Sequence, residues 1–184
     1  METWGAARYG DPCRECGFDW SLGHESAVAL VAGIPARYTM LLSGRDGSAR
    51  HPDLDWTAGG YVCHVTDNLR IWAERLAGAG LGGPAEVPGY DENLLARARE
   101  YNQVPVAGAL WSLRSAAEAW AEAVALATRE GVVLRHAGRG KQTVGDVARN
   151  NAHDAFHHAW DIHRSLGNGD SAGPDAPPGD PVRA

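Results

Sequence analysis

The sequence predicts an all-α protein, an antiparallel four-helix bundle with one long connection between its second and third helices. Three observations lead there. Four long stretches carry helical periodicity bounded by caps and stops. Strand signals are nearly absent, since the single β-branched run, Gly131-Val-Val-Leu134, is short. The 184 residues, 44% hydrophobic and 22% charged, suit one domain with a real core.

The first helix is expected from about Ser21 to Leu42, with Ser21 as N-cap and Gly44 as stop. The second runs from about Trp56 to Leu81 and closes in the glycine-rich stretch ending at Pro84. A shorter piece, Glu92 to Asn102, precedes the third helix at Val104 to Arg129, where Pro105 fits only in a first turn. On that third helix Trp111, Leu113, Ala117 and Trp120 are expected to bury against neighbours. The fourth helix spans about Thr143 to Leu166, capped by Thr143 and ended by Gly167-Asn-Gly169. Residues 1–167 are expected to form one domain, with 1–19 as an N-terminal segment. Residues 168–184, rich in Gly, Pro, Asp and Ser, read as a flexible tail.

Composition removes several function classes. The 17 basic and 23 acidic side chains give a net charge of −6, which argues against a nucleic-acid partner. The most apolar window, Ala27 to Leu42, is interrupted by Pro35 and Arg37 and is too short to span a bilayer. The stretch Met1 to Asp19 lacks the basic start and apolar run of a signal peptide, and the three cysteines suit a reducing compartment. A cytoplasmic protein with a small-molecule partner is the resulting expectation, free of nucleic acid and membrane.

Four of the eight histidines crowd the fourth helix: His153, His157, His158 and His163. His153 and His157 stand at i and i+4, about 40° apart on a helix, so both imidazoles can reach one ion. The three-histidine spacing of zinc peptidases fails here. Asp154 stands where the general-base Glu belongs, and Trp160 replaces the glycine that turns the chain toward the third ligand. The better third ligand is His64 on the second helix. The competing reading is a solvated polar face, because Val144, Ala148, Ala155, Ala159, Ile162 and Leu166 form an aliphatic stripe opposite His153 and His157. His158, about 100° from His157, reads as a hydrogen-bonded structural histidine.

Neighbouring residues offer supporting roles. Arg149 could hold a substrate carboxylate or form a surface ion pair with Asp146. Asp161, one turn beyond His157, could orient it or serve interhelical packing, and Asp67, one turn after His64 and beside Arg70, carries the same two readings. Trp160 could line an aromatic pocket or simply pack. Cys13 and Cys16 form a Cys-x2-Cys pair followed by Gly17. With no second pair, Cys63 or a histidine such as His24 would have to complete a metal site, and a redox pair is the alternative.

The ordered set Cys13-Arg-Glu-Cys-Gly-Phe18, Tyr61-Val-Cys-His-Val-Thr-Asp67, Tyr101-Asn-Gln103 and Thr143 to Ile162 resembles the DinB/YfiT-like superfamily of metal-binding four-helix bundles, closest to an actinobacterial subgroup. The resemblance implies metal ligands at His64, His153 and His157, with zinc or nickel as the ion; Asn102 of the Tyr101-Asn-Gln103 motif joins Arg149 and Trp160 as a candidate substrate contact. The resemblance further implies a thiol-dependent S-transferase or isomerase using a thiol such as mycothiol, in a homodimer. The alternatives are a metal-dependent hydrolase, lyase or cyclase that uses no thiol, and a non-catalytic metal-binding stress-response module.

Overall fold

The computed structural model describes residues 4–167, so the tail expected over 168–184 lies outside the described residues. The elements run α1 (Ala6–Tyr9), α2 (His24–Leu41), α3 (Ala58–Gly80), β1 (Glu86–Val87), α4 (Glu92–Ala98), a 3₁₀ turn (Tyr101–Gln103), α5 (Val106–Arg129), β2 (Val133–His136), β3 (Gly140–Thr143) and α6 (Val144–Ser165). The four long helices are α2, α3, α5 and α6, and the long connection between the second and third of them holds β1, α4 and the 3₁₀ turn.

Local chemistry accounts for the helix ends. Thr57 caps α3 by accepting from the Gly60 N–H at 3.0 Å, and Asp91 caps α4 through the Leu94 N–H at 2.9 Å. Thr143 and Asp146 form a reciprocal capping box at the start of α6. The start of α2 falls at Gly23 instead of Ser21, because the Asp19 carboxylate accepts from the Ser21 N–H at 2.8 Å and holds that residue in a preceding turn.

The helices form a ring in which α3 packs on α5 and α6, and α2 packs on the same two helices. Leu69, Trp72 and Leu76 of α3 meet Leu113, Trp120 and Val124 of α5 in the core, together with Val31, Ile34 and Tyr38 of α2. Trp111 departs from the expectation and is 69% exposed. It lies two positions before Leu113, about 200° away around the helix, and so faces solvent. Two side-chain hydrogen bonds lock α6 in rotation. The Tyr38 hydroxyl donates to the Ala155 carbonyl at 2.8 Å, and the Trp120 indole N–H donates to Asn151 Oδ1 at 2.9 Å.

A small sheet of order β1-β2-β3 was not expected. β2 and β3 form an antiparallel hairpin in which Leu134 faces Gln142, and β1 joins parallel to β2 through Glu86–Arg135 and Val87–His136. Leu134, Val87 and Gln142 are buried. Gln142 fixes the hairpin to α6, since its Oε1 accepts from Asn150 Nδ2 at 2.9 Å while its Nε2 donates to the Lys141 and Arg139 carbonyls. Among the described residues no helix is long and apolar enough to cross a membrane.

Candidate metal centres

The histidine-rich face of α6 divides into two clusters that interleave along the helix. Successive helical residues point about 100° apart. His153 and His157 therefore face one way and Asp154 and His158 another, each pair one turn apart.

Asp154 and His158 face His64 across the α3–α6 seam. One ligand atom from each of the three lies within 4.8 Å of the others. Asp154 Oδ1 stands 3.5 Å from His64 Nε2 and 3.6 Å from His158 Nε2, so two imidazole nitrogens and a carboxylate oxygen converge. The remaining atoms of these side chains are held from behind. His158 Nδ1–H donates to Asp161 Oδ2 at 2.8 Å, Asn68 Nδ2 donates to Asp154 Oδ2 at 2.8 Å, and the Tyr90 hydroxyl donates to Asn68 Oδ1 at 3.1 Å. Tyr61 stacks on His158 and Trp56 lies over His64, with ring centroids 5.0 and 4.9 Å apart. The donor set and its supports fit a divalent cation: two imidazole nitrogens and one carboxylate oxygen with orientations fixed by outer hydrogen bonds.

Electrostatics at this cluster favour positive charge. Burial works against a charged His158, but the carboxylates of Asp154 and Asp161 outweigh it and push its pKa up to about 10. Burial alone would raise the Asp154 carboxyl, yet His64 and His158 hold it well below the usual range. The cluster opens on a cavity of about 400 Å³ that also presents Trp4, Tyr90 and Arg139. The Arg139 guanidinium sits 3.5 Å from the Trp4 ring centroid and 5.3 Å from that of Trp72, with no carboxylate at ion-pair distance among the described residues. Burial lowers its pKa to about 10, so it stays protonated at neutral pH.

Cys13, Cys16, His153 and His157 form the second cluster, again with one ligand atom each inside 4.8 Å. The thiols and His153 are buried, and Tyr9, Phe18 and Trp20 close over His153. Burial and the neighbouring His157 push His153 down to about 3, leaving it neutral. The solvated polar face that periodicity allowed for these histidines is ruled out, because the N-terminal segment covers them.

The expected triad of His64, His153 and His157 is thus distributed over two clusters. His64 joins Asp154 and His158, and the other two join the cysteines. Asp161 approaches His157 Nε2 only at 3.8 Å and makes its short contact with His158 instead. Asp67 does not support His64; it accepts from Tyr101 Oη at 2.6 Å and pairs with Arg99 and Arg70. Arg149 forms the surface pair with Asp146 at 2.6 Å and lies outside the lining of the metal-facing cavity. Trp160 packs on His157 and Arg164, and Asn102 Oδ1 accepts from the Thr57 N–H at 2.9 Å, securing the entry to α3. Neither lines that cavity. His24 begins α2, and Cys63 faces the Tyr101 carbonyl, so neither completes the Cys13–Cys16 site.

Sequence reasoning missed Asp154 and His158 as one pair, and Arg139 as a cavity cation. The i, i+4 spacing of Asp154 and His158 was available in the sequence, whereas Arg139 reaches the cavity only through the hairpin. Replacing Asp161 by asparagine is expected to free the His158 ring and weaken metal binding at the open cluster about 10–100-fold, measured by competition with a chromophoric chelator.

The family description "DinB superfamily" matches residues 36–162. Among solved structures, the chain is similar to YfiT from Bacillus subtilis, described as a probable metal-dependent hydrolase with an unusual four-helix bundle topology. The TM-score is 0.63 at 16% identity, over 78% of this chain and 87% of that one. No curated protein matches the chain significantly. The family match runs from within α2 almost to the end of α6 and includes His64, Asp154 and His158. The chain belongs to the DinB superfamily.

Proposed function

We propose that the protein is a metal-dependent enzyme acting on a small anionic substrate, with His64, Asp154 and His158 holding the divalent ion. The convergence of two Nε2 atoms and one carboxylate oxygen on an open cavity carries this reading. Three protein ligands leave positions free for water or substrate, the arrangement of catalytic sites. Such an ion, when bound, lowers the pKa of a coordinated water or thiol and polarises a carbonyl.

The chain's own residues supply the rest. Asp161 and Asn68 hold His158 and Asp154 in orientation. Arg139 faces the cavity as a partly desolvated cation with no carboxylate partner among the described residues, suited to a carboxylate or phosphate. Trp4 and Trp56 wall the cavity and reduce the water around the reacting end. Hydrolysis is the first reading, supported by the His-His-carboxylate ligand set, which resembles that of zinc hydrolases. Thiol transfer or isomerisation, using a low-molecular-weight thiol such as mycothiol, is the second. It is supported by the resemblance to mycothiol-dependent enzymes and by the same free coordination positions. Zinc and nickel are the proposed ions.

The test is turnover of a panel of small carboxylate-bearing esters and electrophiles by chelator-treated protein, with zinc or nickel added back and with or without added thiol. Metal-dependent turnover without thiol supports hydrolysis, and turnover only with thiol supports transfer. No turnover in either arm by protein shown to carry metal at His64 would overturn both. Arg139→Met is expected to raise KM for a turned-over anionic substrate roughly 10–150-fold, with a smaller change in kcat. That range is the loss of one charge-assisted hydrogen bond.

A further inference from the structure

Cys13, Cys16, His153 and His157 converge away from the open cavity. We propose that they form a second, closed metal site, a four-coordinate Cys2His2 centre for zinc that fastens the N-terminal segment to α6.

The donor chemistry matches the ion. Two thiols and two imidazoles make the closed nitrogen–sulfur set of structural zinc, which leaves no position for a substrate. All four ligand atoms lie within 4.8 Å of one another, with Cys13 Sγ 3.9 Å from His157 Nδ1. The two imidazoles are one helical turn apart, their ring centroids separated by 5.4 Å.

A buried, unpartnered atom supplies an independent indication. His153 is 2% exposed, and its Nε2 has no hydrogen-bond partner among the described residues. A polar nitrogen shut away from water without a partner is costly, and buried polar groups are nearly always satisfied. A metal ion held by the neighbouring thiols provides the missing partner. A disulfide between Cys13 and Cys16 would leave it orphaned.

The local backbone is built to present both sulfurs. The Gly17 N–H donates to the Cys13 carbonyl at 2.9 Å and the Cys13 N–H to the Phe18 carbonyl at 2.8 Å, which closes a tight turn around the cysteines. Gly17 takes φ +77°, in the region that favours glycine. The outward nitrogen of His157 is also occupied, with Nε2 3.4 Å from the Glu15 carboxylate. A carboxylate behind the ring fixes its tautomer so that Nδ1 is free to bind. Both cysteines precede residue 36, where the family match begins, so the clip would join a segment outside the matched range to α6 within it.

The experiment uses the full chain, purified without a histidine tag or chelator under reducing conditions and loaded with cobalt(II) or zinc. Wild type and Asp154→Ala are both expected to show thiolate-to-cobalt charge-transfer bands and the visible bands of a tetrahedral site. Cys13→Ser/Cys16→Ser is expected to lose those bands and one equivalent of zinc. Because that variant could unfold, X-ray absorption of zinc-loaded Asp154→Ala gives a second measurement on intact ligands. Two sulfurs at about 2.3 Å and two nitrogens at about 2.0 Å are expected. A shell of nitrogen and oxygen only, a Cys13–Cys16 disulfide in the metal-loaded protein, or full zinc content in the double cysteine variant would each overturn the site. Failure of the open cluster to bind metal reads differently, as unchanged zinc content in Asp154→Ala with the cobalt bands intact.

Discussion

Replacing Asp154 by alanine is expected to abolish metal-dependent turnover, with a loss of at least about 100-fold, while the chain stays folded. Among the described residues its carboxylate is the one anionic group within reach of both His64 Nε2 and His158 Nε2, at 3.5 and 3.6 Å. Its removal leaves two histidines, too few for a stable site of this kind. Zinc analysis, circular dichroism and activity on one preparation provide the check. The same variant separates two assignments of the open-site ligands. Had His64, His153 and His157 been the functional triad, Asp154→Ala would leave turnover largely intact and His153→Ala would abolish it.

The largest expected effect on stability falls on Trp120. Its side chain is wholly buried, and its indole N–H satisfies Asn151 on α6 at 2.9 Å. Trp120→Ala opens a large cavity between α5 and its neighbours and leaves the Asn151 side-chain oxygen Oδ1 without its donor. The cost is about 3–5 kcal/mol, a large share of the roughly 5–15 kcal/mol that stabilises a typical domain. For a chain of this size that lowers Tm by roughly 6–20 °C in thermal denaturation. Trp120→Phe is expected to cost less, since most of the buried ring area is kept. If Trp120→Ala melts with wild type, the assigned packing of α5 on α6 is wrong.

The long helices were legible because their evidence is local. Thr143 with Asp146, the glycines at 131 and 167, and the aliphatic stripe of α6 each act within a few residues of chain. The sheet was not legible. Glu86–Val87 pairs with a strand almost fifty positions later, and two residues carry no periodicity to read. The candidate sites were half legible. His64 and the helical face of α6 could be found by spacing, but the stretch from His153 to His158 contains two i, i+4 pairs offset by one position. The matched imidazoles looked like the natural pair. Which pair faces α3 depends on the rotation of α6, set by Tyr38, Trp120 and core packing, and none of these is adjacent in sequence. The aromatic cover from Tyr9, Phe18 and Trp20 likewise reaches His153 from the far end of the chain, so a buried position read as a polar face.

That one-position offset also has a thermodynamic consequence. Asp154 follows His153 directly, and His158 follows His157, so the two donor sets are rigidly geared through a shared stretch of backbone. An ion gripped by the cysteine-containing set restrains the roll of α6 about its own axis, and that roll determines how Asp154 and His158 are aimed at His64. Linkage requires the influence to be mutual: whatever factor the enclosed ion contributes to affinity in the cavity, the cavity ion returns in equal measure. With a coupling of the usual 1–3 kcal/mol, that factor is about 5–150. An enclosed ion that holds α6 in the roll aiming Asp154 and His158 at His64 makes this coupling positive, so the Cys13→Ser/Cys16→Ser variant is expected to bind metal in the cavity more weakly by that factor.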